Sequence, residues 1–211
     1  MIIAVVGSGG KTTLMKKLAS HYRSEGKTVL LTTTTHMFIE EDTLLTDDAD
    51  TIIQALRVNG YAMAGVSEGI KFRALSRETF NAVSAFADVV LVEADGSKRL
   101  PLKYPNAAEP VIPEKTDEII VVCGLNAIGQ KAREVCHRLE LVQACLGIEA
   151  DTVITVEHVQ KLVTEGYLKP LREKYPNARV SLQPRHDGSD YQRAVASMLQ
   201  KEQGVSPIWM E

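Results

Sequence analysis

The chain begins with an unbroken apolar run, Ile2 to Val6, rich in β-branched side chains and ending at Gly7. With no polar residue alternating, such a run predicts a short strand covered on both faces. From Lys11 to about Ser24 the period changes. Leu14, Leu18, Ala19 and Tyr22 recur at helical spacing, Lys16, Lys17 and Arg23 fall between them, and Gly26 follows as a stop. "KTVLLTTTT" predicts a second buried strand, which completes a strand–turn–helix–strand unit.

The alternation continues along the chain. Residues 50–58 are expected to be helical, "YAMAGV" a strand, and 76–86 a helix started by Ser76. "DVVLVEADGS" and "EIIVVCGL" predict the fourth and fifth strands, and 136–146 a further helix. The last third gives a weaker pattern: a helix at about 155–165, a strand near 178–182 and a helix from 191 to about 201. Strands alternating with helices predict an α/β fold, a mostly parallel sheet with helices on both faces. Between Gly96 and Thr116 the periodicity lapses, and four of the chain's 8 prolines fall there. The segment reads as a structureless loop, and one of that length inside a domain is expected to be functional or mobile.

Composition narrows the classes. At 211 residues, 45% hydrophobic and 24% charged, the chain is expected to form one domain spanning 1–211. A net charge of -3 offers no general attraction for nucleic acid or an anionic membrane, so neither is expected as a partner. "MIIAVV" lacks a basic flank and is cut short by Gly7 and Lys11, and no apolar run has bilayer-spanning length, so a cytoplasmic location is expected. Cys123, Cys136 and Cys145 form no C-x-x-C pair and read as reduced thiols, Cys123 as a core residue.

The strongest chemistry lies in "VVGSGGKTTL", residues 5–14. A phosphate is held by converging backbone N–H groups and the positive end of the following helix, and Gly7, Gly9 and Gly10, with Ser8 between them, permit that backbone. Lys11 is placed to reach β- and γ-phosphates, and the Thr12 hydroxyl, followed by Thr13, to meet Mg²⁺. The usual first glycine of the P-loop pattern is replaced by Val5, so the loop is a compact variant. It resembles the G-x-x-G-K-T-T loop of the Mur ligases, which activate a carboxylate by phosphorylation.

A strand-end acid able to hold Mg²⁺ should accompany such a loop. Glu93 and Asp95 in "VVLVEADGS" fit it, Glu93 as first metal candidate by its similarity to a magnesium-binding Glu in Mur ligases and Asp95 as a catalytic or second-shell group. "TTTTHM" places Thr32 to Thr35 and His36 at another strand end, either to bind Mg²⁺ or orient water near the γ-phosphate or simply to build strand and turn. Lys98, Arg99 and Lys103 either meet a second anionic group or dock a partner, or form a solvated basic loop. His137 and Arg138, at a helix start, read as a partner contact or as surface residues.

Taken together, "VVGSGGKTTL", "VLLTTTTHM", "VLVEADGSKRLPLKYP", "EPVIP", "VVCGLNAIGQ" and His137-Arg138 resemble the selenium-dependent molybdenum hydroxylase accessory protein family over most of the first 140 residues. The resemblance implies a three-layer P-loop NTPase-like fold and a role in maturing a molybdenum hydroxylase, with that enzyme, its cofactor or a selenium donor as partner. It defines no reaction. The place where guanine-selective P-loop proteins carry N-K-x-D reads "VSLQPRHDG", which favours ATP over GTP, with Mg²⁺ as cofactor. Mur-like phosphorylation of a small acceptor, or a nucleotide-gated chaperone, are the alternatives.

Overall fold

A computed structural model describes residues 1–202. The chain folds as two compact units interleaved along the sequence. The first is built from Met1–Val5, Thr12–Asp95 and Val111–Asp117, and the second from Val6–Lys11, Gly96–Pro110 and the chain from Glu118 onward.

In the first unit, Ile2 to Val5 of β1 (Ile2–Gly7) pair in parallel with β7 (Val89–Glu93), and β7 pairs in parallel with β2 (Val29–Thr33). β5 (Tyr61–Glu68) follows β2, again in parallel, and carries β4 (Thr43–Leu45) on its far part. All five residues of β2 and of β7 are buried, which is why these strands read as continuous apolar runs rather than alternating ones. β6 (Lys71–Arg73) then joins β5 antiparallel, and β3 (His36–Phe38) joins β6 antiparallel.

Three helices accompany these strands. α1 (Lys11–Ser24) starts directly after the glycine loop. α2 (Ala49–Asn59) is capped by the Asp48 carboxylate, which accepts from the Thr51 N–H, and is ended by Gly60 at φ 67°. α3 (Arg77–Phe86) is capped by Ser76, as its sequence leads one to expect. Ile52 and Leu56 of α2 and Val83 of α3 bury their side chains with Leu30, Val90 and Val92 of the sheet. Each such side chain contributes on the order of 2 kcal/mol relative to exposure.

In the second unit, β9 (Glu118–Gly124) pairs in parallel with β11 (Arg179–Arg185) over seven residue pairs, from Arg179 opposite Glu118 to Arg185 opposite Gly124. A second, two-stranded sheet pairs β8 (Leu102–Lys103) in parallel with β10 (Cys136–His137). The helices are α4 (Ala132–Val135), α5 (Leu139–Leu146), α6 (Val156–Val163), α7 (Lys169–Lys174) and α8 (Asp190–Glu202). A 3-10 turn, Leu125–Ala127, follows β9, and a π-helical stretch, Thr164–Leu168, joins α6 to α7.

The expectation of an α/β chain with a mostly parallel sheet holds. Three local expectations are corrected. The helix expected over 136–146 starts only at Leu139, because Cys136 and His137 pair with Leu102 and Lys103 and Arg138 takes a left-handed conformation. The segment 96–116 is not structureless, since β8 lies within it. The helix expected at 155–165 ends at Val163 and is prolonged by the π-helical turn and α7. Among the described residues no helix is long and apolar enough to cross a membrane.

Candidate functional site

The glycine loop belongs to the second unit up to Lys11. Gly7 adopts φ 89°, and a Cβ there would stand 2.1 Å from the Val122 carbonyl oxygen, so only glycine permits this approach of the loop to β9. The next residue uses that approach. The Ser8 N–H donates to the Val122 carbonyl at 2.9 Å, and its hydroxyl donates to the Pro101 carbonyl, also at 2.9 Å. Gly9, at φ 82°, leaves 2.7 Å between its would-be Cβ and the Gly124 Cα, and 2.9 Å to the Pro101 carbonyl oxygen. The loop is therefore held between the end of β9 and the Ser97–Pro101 stretch. Gly10 is exposed at the turn into α1.

Lys11 is 4% exposed. Its ammonium donates to the Gly7 carbonyl at 2.8 Å and lies 3.4 Å from the Ser97 hydroxyl. The amine thus folds back over its own loop, where its charge is partly desolvated and held by hydrogen-bond acceptors.

Thr12 and Thr13 continue the chain in the first unit. The Thr12 hydroxyl donates to Glu93 Oε2 at 3.1 Å, while Thr13 is exposed. Glu93 closes β7, one residue beyond Val92, and faces Val5 across the β1–β7 ladder. Its backbone carbonyl accepts from the Thr33 hydroxyl at 2.8 Å and the Thr34 N–H at 3.1 Å, which fastens the end of β7 to the end of β2. Glu93 is 8% exposed and Asp95 fully buried. A hydroxyl and a carboxylate oxygen together suit a hard cation such as Mg²⁺, which retains several waters and takes few protein ligands. The described residues hold no group of three or more His, Cys, Asp or Glu placed to share a metal.

His36 goes elsewhere. It starts β3 on the antiparallel edge, exposed, with Nε2 3.3 Å from Glu68 Oε2. Thr33 and Thr34, not His36, meet the end of β7, because β2 stops at Thr33 and the chain turns away into the edge ribbon.

The basic residues beyond Asp95 divide into two groups. Lys98 and Arg99 form an exposed turn with φ 48° and 62°. Lys103, read either as meeting an anionic group or partner or as part of a solvated basic loop, is not solvated: it lies on β8 with its side chain fully buried. Its ammonium donates to the Gly96 carbonyl at 2.5 Å and pairs with Glu109 at 2.6 Å. Arg138, read as a surface residue or a partner contact, grips the same carboxylate with both terminal nitrogens, one of them at 3.0 Å. Burial alone would raise the Glu109 carboxyl, but the hydrogen bonds from Arg138 and Lys103 overcome it and hold the group at about 2. Beside it, partial burial and then the cations of Arg138, Lys103 and Lys98 push the His137 imidazole below its ordinary value.

Several residues were missed in the sequence: Ser97, Pro101, Glu109 and Arg185. Glu109 lies in the quoted "EPVIP" and Arg185 in "QPRHD", but nothing local marks either as a partner of a distant residue. Arg185 ends β11, and its Cγ and Nε lie 3.4 Å from the position a Cβ on Gly10 would occupy.

A family model described as YqeC protein matches residues 3–140, a span that holds the glycine loop, Glu93, Asp95 and the Lys103–Glu109–Arg138 cluster. The YqeC protein of Escherichia coli (strain K12) is 32% identical over 171 residues, covering 77% of this chain and 67% of that protein. With its glycine loop, strand-end acid and buried ionic cluster all inside the matched span, the chain belongs to the YqeC family.

Proposed function

We propose that this protein binds a nucleotide, ATP in preference to GTP, together with Mg²⁺, and hydrolyses it in the maturation of a selenium-dependent molybdenum hydroxylase. The observation that carries the nucleotide reading is Lys11, buried at the start of α1 and folded onto the Gly7 carbonyl. A buried ammonium folded over its own glycine loop is placed to meet an anion received by the loop amides. The loop N–H groups and the N-terminus of α1, a helix of 14 residues, reinforce that preference for an anion.

In this reading the amides of residues 7–11 and the Lys11 ammonium hold the phosphate chain. Thr12 and Glu93 hold the metal, which when bound supplies neutralisation of charge on the phosphate oxygens. Asp95, wholly buried, acts as a positioning residue rather than a direct contact. Phosphoryl transfer then depends on placement and electrostatics, with no covalent step by the protein. The maturation role rests on the sequence resemblance. The compact spacing of the loop favours one further reading, transfer of the γ-phosphate to a small acceptor, in which turnover stays near background until the acceptor is added.

Calorimetric titration of wild-type protein and Lys11→Ala with ATP and GTP, each with and without Mg²⁺, tests the proposal. Mg²⁺-dependent binding of ATP that disappears in a folded Lys11→Ala variant is the expected result. Binding that survives in that variant, or a folded wild type that binds neither nucleotide, overturns it.

A further inference from the structure

We propose that Arg185 is a second cationic arm of this site, pairing its guanidinium with the phosphate chain of the bound nucleotide. The inference rests on the nucleotide reading and adds a residue outside the span matched by the family model.

Three observations point to it. First, β11 and β9 end together, with Arg185 opposite Gly124, and Gly124 is the residue against which Gly9 packs. The strand end is therefore delivered to the glycine loop by the ladder itself. Second, the Arg185 side chain lies along Gly10, with Cγ and Nε each 3.4 Å and Cδ 3.8 Å from the would-be Cβ. Gly10 directly precedes Lys11, so both cations adjoin the same turn. Third, the charge is not spent on a neighbouring acid. Asp187, two residues on, instead accepts from the Ser189 N–H at 2.8 Å. No ion pair or hydrogen bond of the Arg185 side chain to another described residue is present.

The chemistry follows from the group. A guanidinium carries a permanent charge and a planar fork of donors that matches two phosphate oxygens, whereas the Lys11 ammonium acts as a point charge. A half-buried arginine beside the glycine loop would add directional recognition to a site that otherwise holds anions by dipole and charge. The competing account is packing alone, in which the methylene stem covers Gly10 and the charge has no role.

Arg185→Met keeps the stem and removes the charge, so it separates the two. Wild type, Arg185→Met, Arg185→Lys and Lys11→Ala would be titrated calorimetrically with MgATP and with inorganic tripolyphosphate, after circular dichroism has shown each variant folded. The expected outcome is that Arg185→Met weakens both ligands by about tenfold or more, with Arg185→Lys intermediate. Unchanged affinity for both ligands overturns the proposal in favour of packing. Loss confined to ATP, with tripolyphosphate unaffected, also overturns it and moves the guanidinium to the nucleoside. Failure of the nucleotide reading itself looks different: neither ligand binds wild type, or Lys11→Ala binds as wild type does.

Discussion

The Thr12 hydroxyl donates to the Glu93 carboxylate at 3.1 Å, joining the first turn of α1 to the end of β7 although the two residues are 81 positions apart. Val5 faces Glu93 in the β1–β7 ladder, so the register of that strand pair sets where the carboxylate stands. A one-residue slip would send it to the opposite face of the sheet.

Glu93→Gln keeps the size and a hydrogen-bond acceptor for Thr12 but removes the negative charge. Its expected effect is on the metal. The Mg²⁺-dependent part of ATP affinity falls by about tenfold or more, as charged hydrogen-bond partners of this kind contribute about 1.5–3 kcal/mol, while Mg²⁺-free binding stays as in wild type. Titrating ATP over a series of Mg²⁺ concentrations reads this directly, and an unchanged Mg²⁺ dependence would remove Glu93 from the site.

Gly9→Ala tests the close packing of the loop. The added methyl would meet Gly124 Cα at 2.7 Å and the Pro101 carbonyl oxygen at 2.9 Å, in a backbone conformation at φ 82° that L-residues rarely adopt. Both contacts are to backbone, which cannot rotate aside. The expected loss is about 2 kcal/mol or more, seen as a lower urea midpoint, together with loss of ATP binding. A variant with the wild-type midpoint would mean that β9 and the Pro101 stretch separate easily.

Glu109→Gln addresses the buried cluster. Lys103 has no exposure at all, so removing the carboxylate leaves a buried ammonium without its counter-charge, at an expected cost of about 3 kcal/mol near neutral pH. The pH dependence has a definite sign. The Glu109 carboxyl is held at about 2 against an ordinary 4.5, so its contribution is fully present above 4.5 and is lost as pH falls through that value toward 2. Urea midpoints of wild type and variant should therefore lie far apart at pH 7 and converge on acidification. A gap that stays constant down to pH 3 would show that the carboxylate charge plays no part.

The legible part of the site is the part written in consecutive residues. Ile2 to Val6, the glycines and the α1 periodicity disclose a strand, a turn and a helix, and "VLVEADGS" discloses a strand with acids at its end. Burial on both faces erases alternation in β2 and β7, which is itself a local signal. His36 was misplaced because Thr-rich sequence reads as continuing strand, whereas β2 stops at Thr33 and the chain reverses into an antiparallel edge. The two-residue strands β8 and β10 are too short for any period to show, yet their pairing puts Lys103 inside and starts α5 late.

By itself the sequence determined the α/β alternation, the glycine-rich turn between β1 and α1 and the acid at the end of β7, because each depends on neighbours a few positions away. Tertiary structure alone decided that Lys103 and Arg138 share Glu109, that Lys11 comes near Ser97, and that Arg185 lies along Gly10. Those contacts join separate segments of chain, and nothing in local periodicity specifies which strand ends the sheet will bring together.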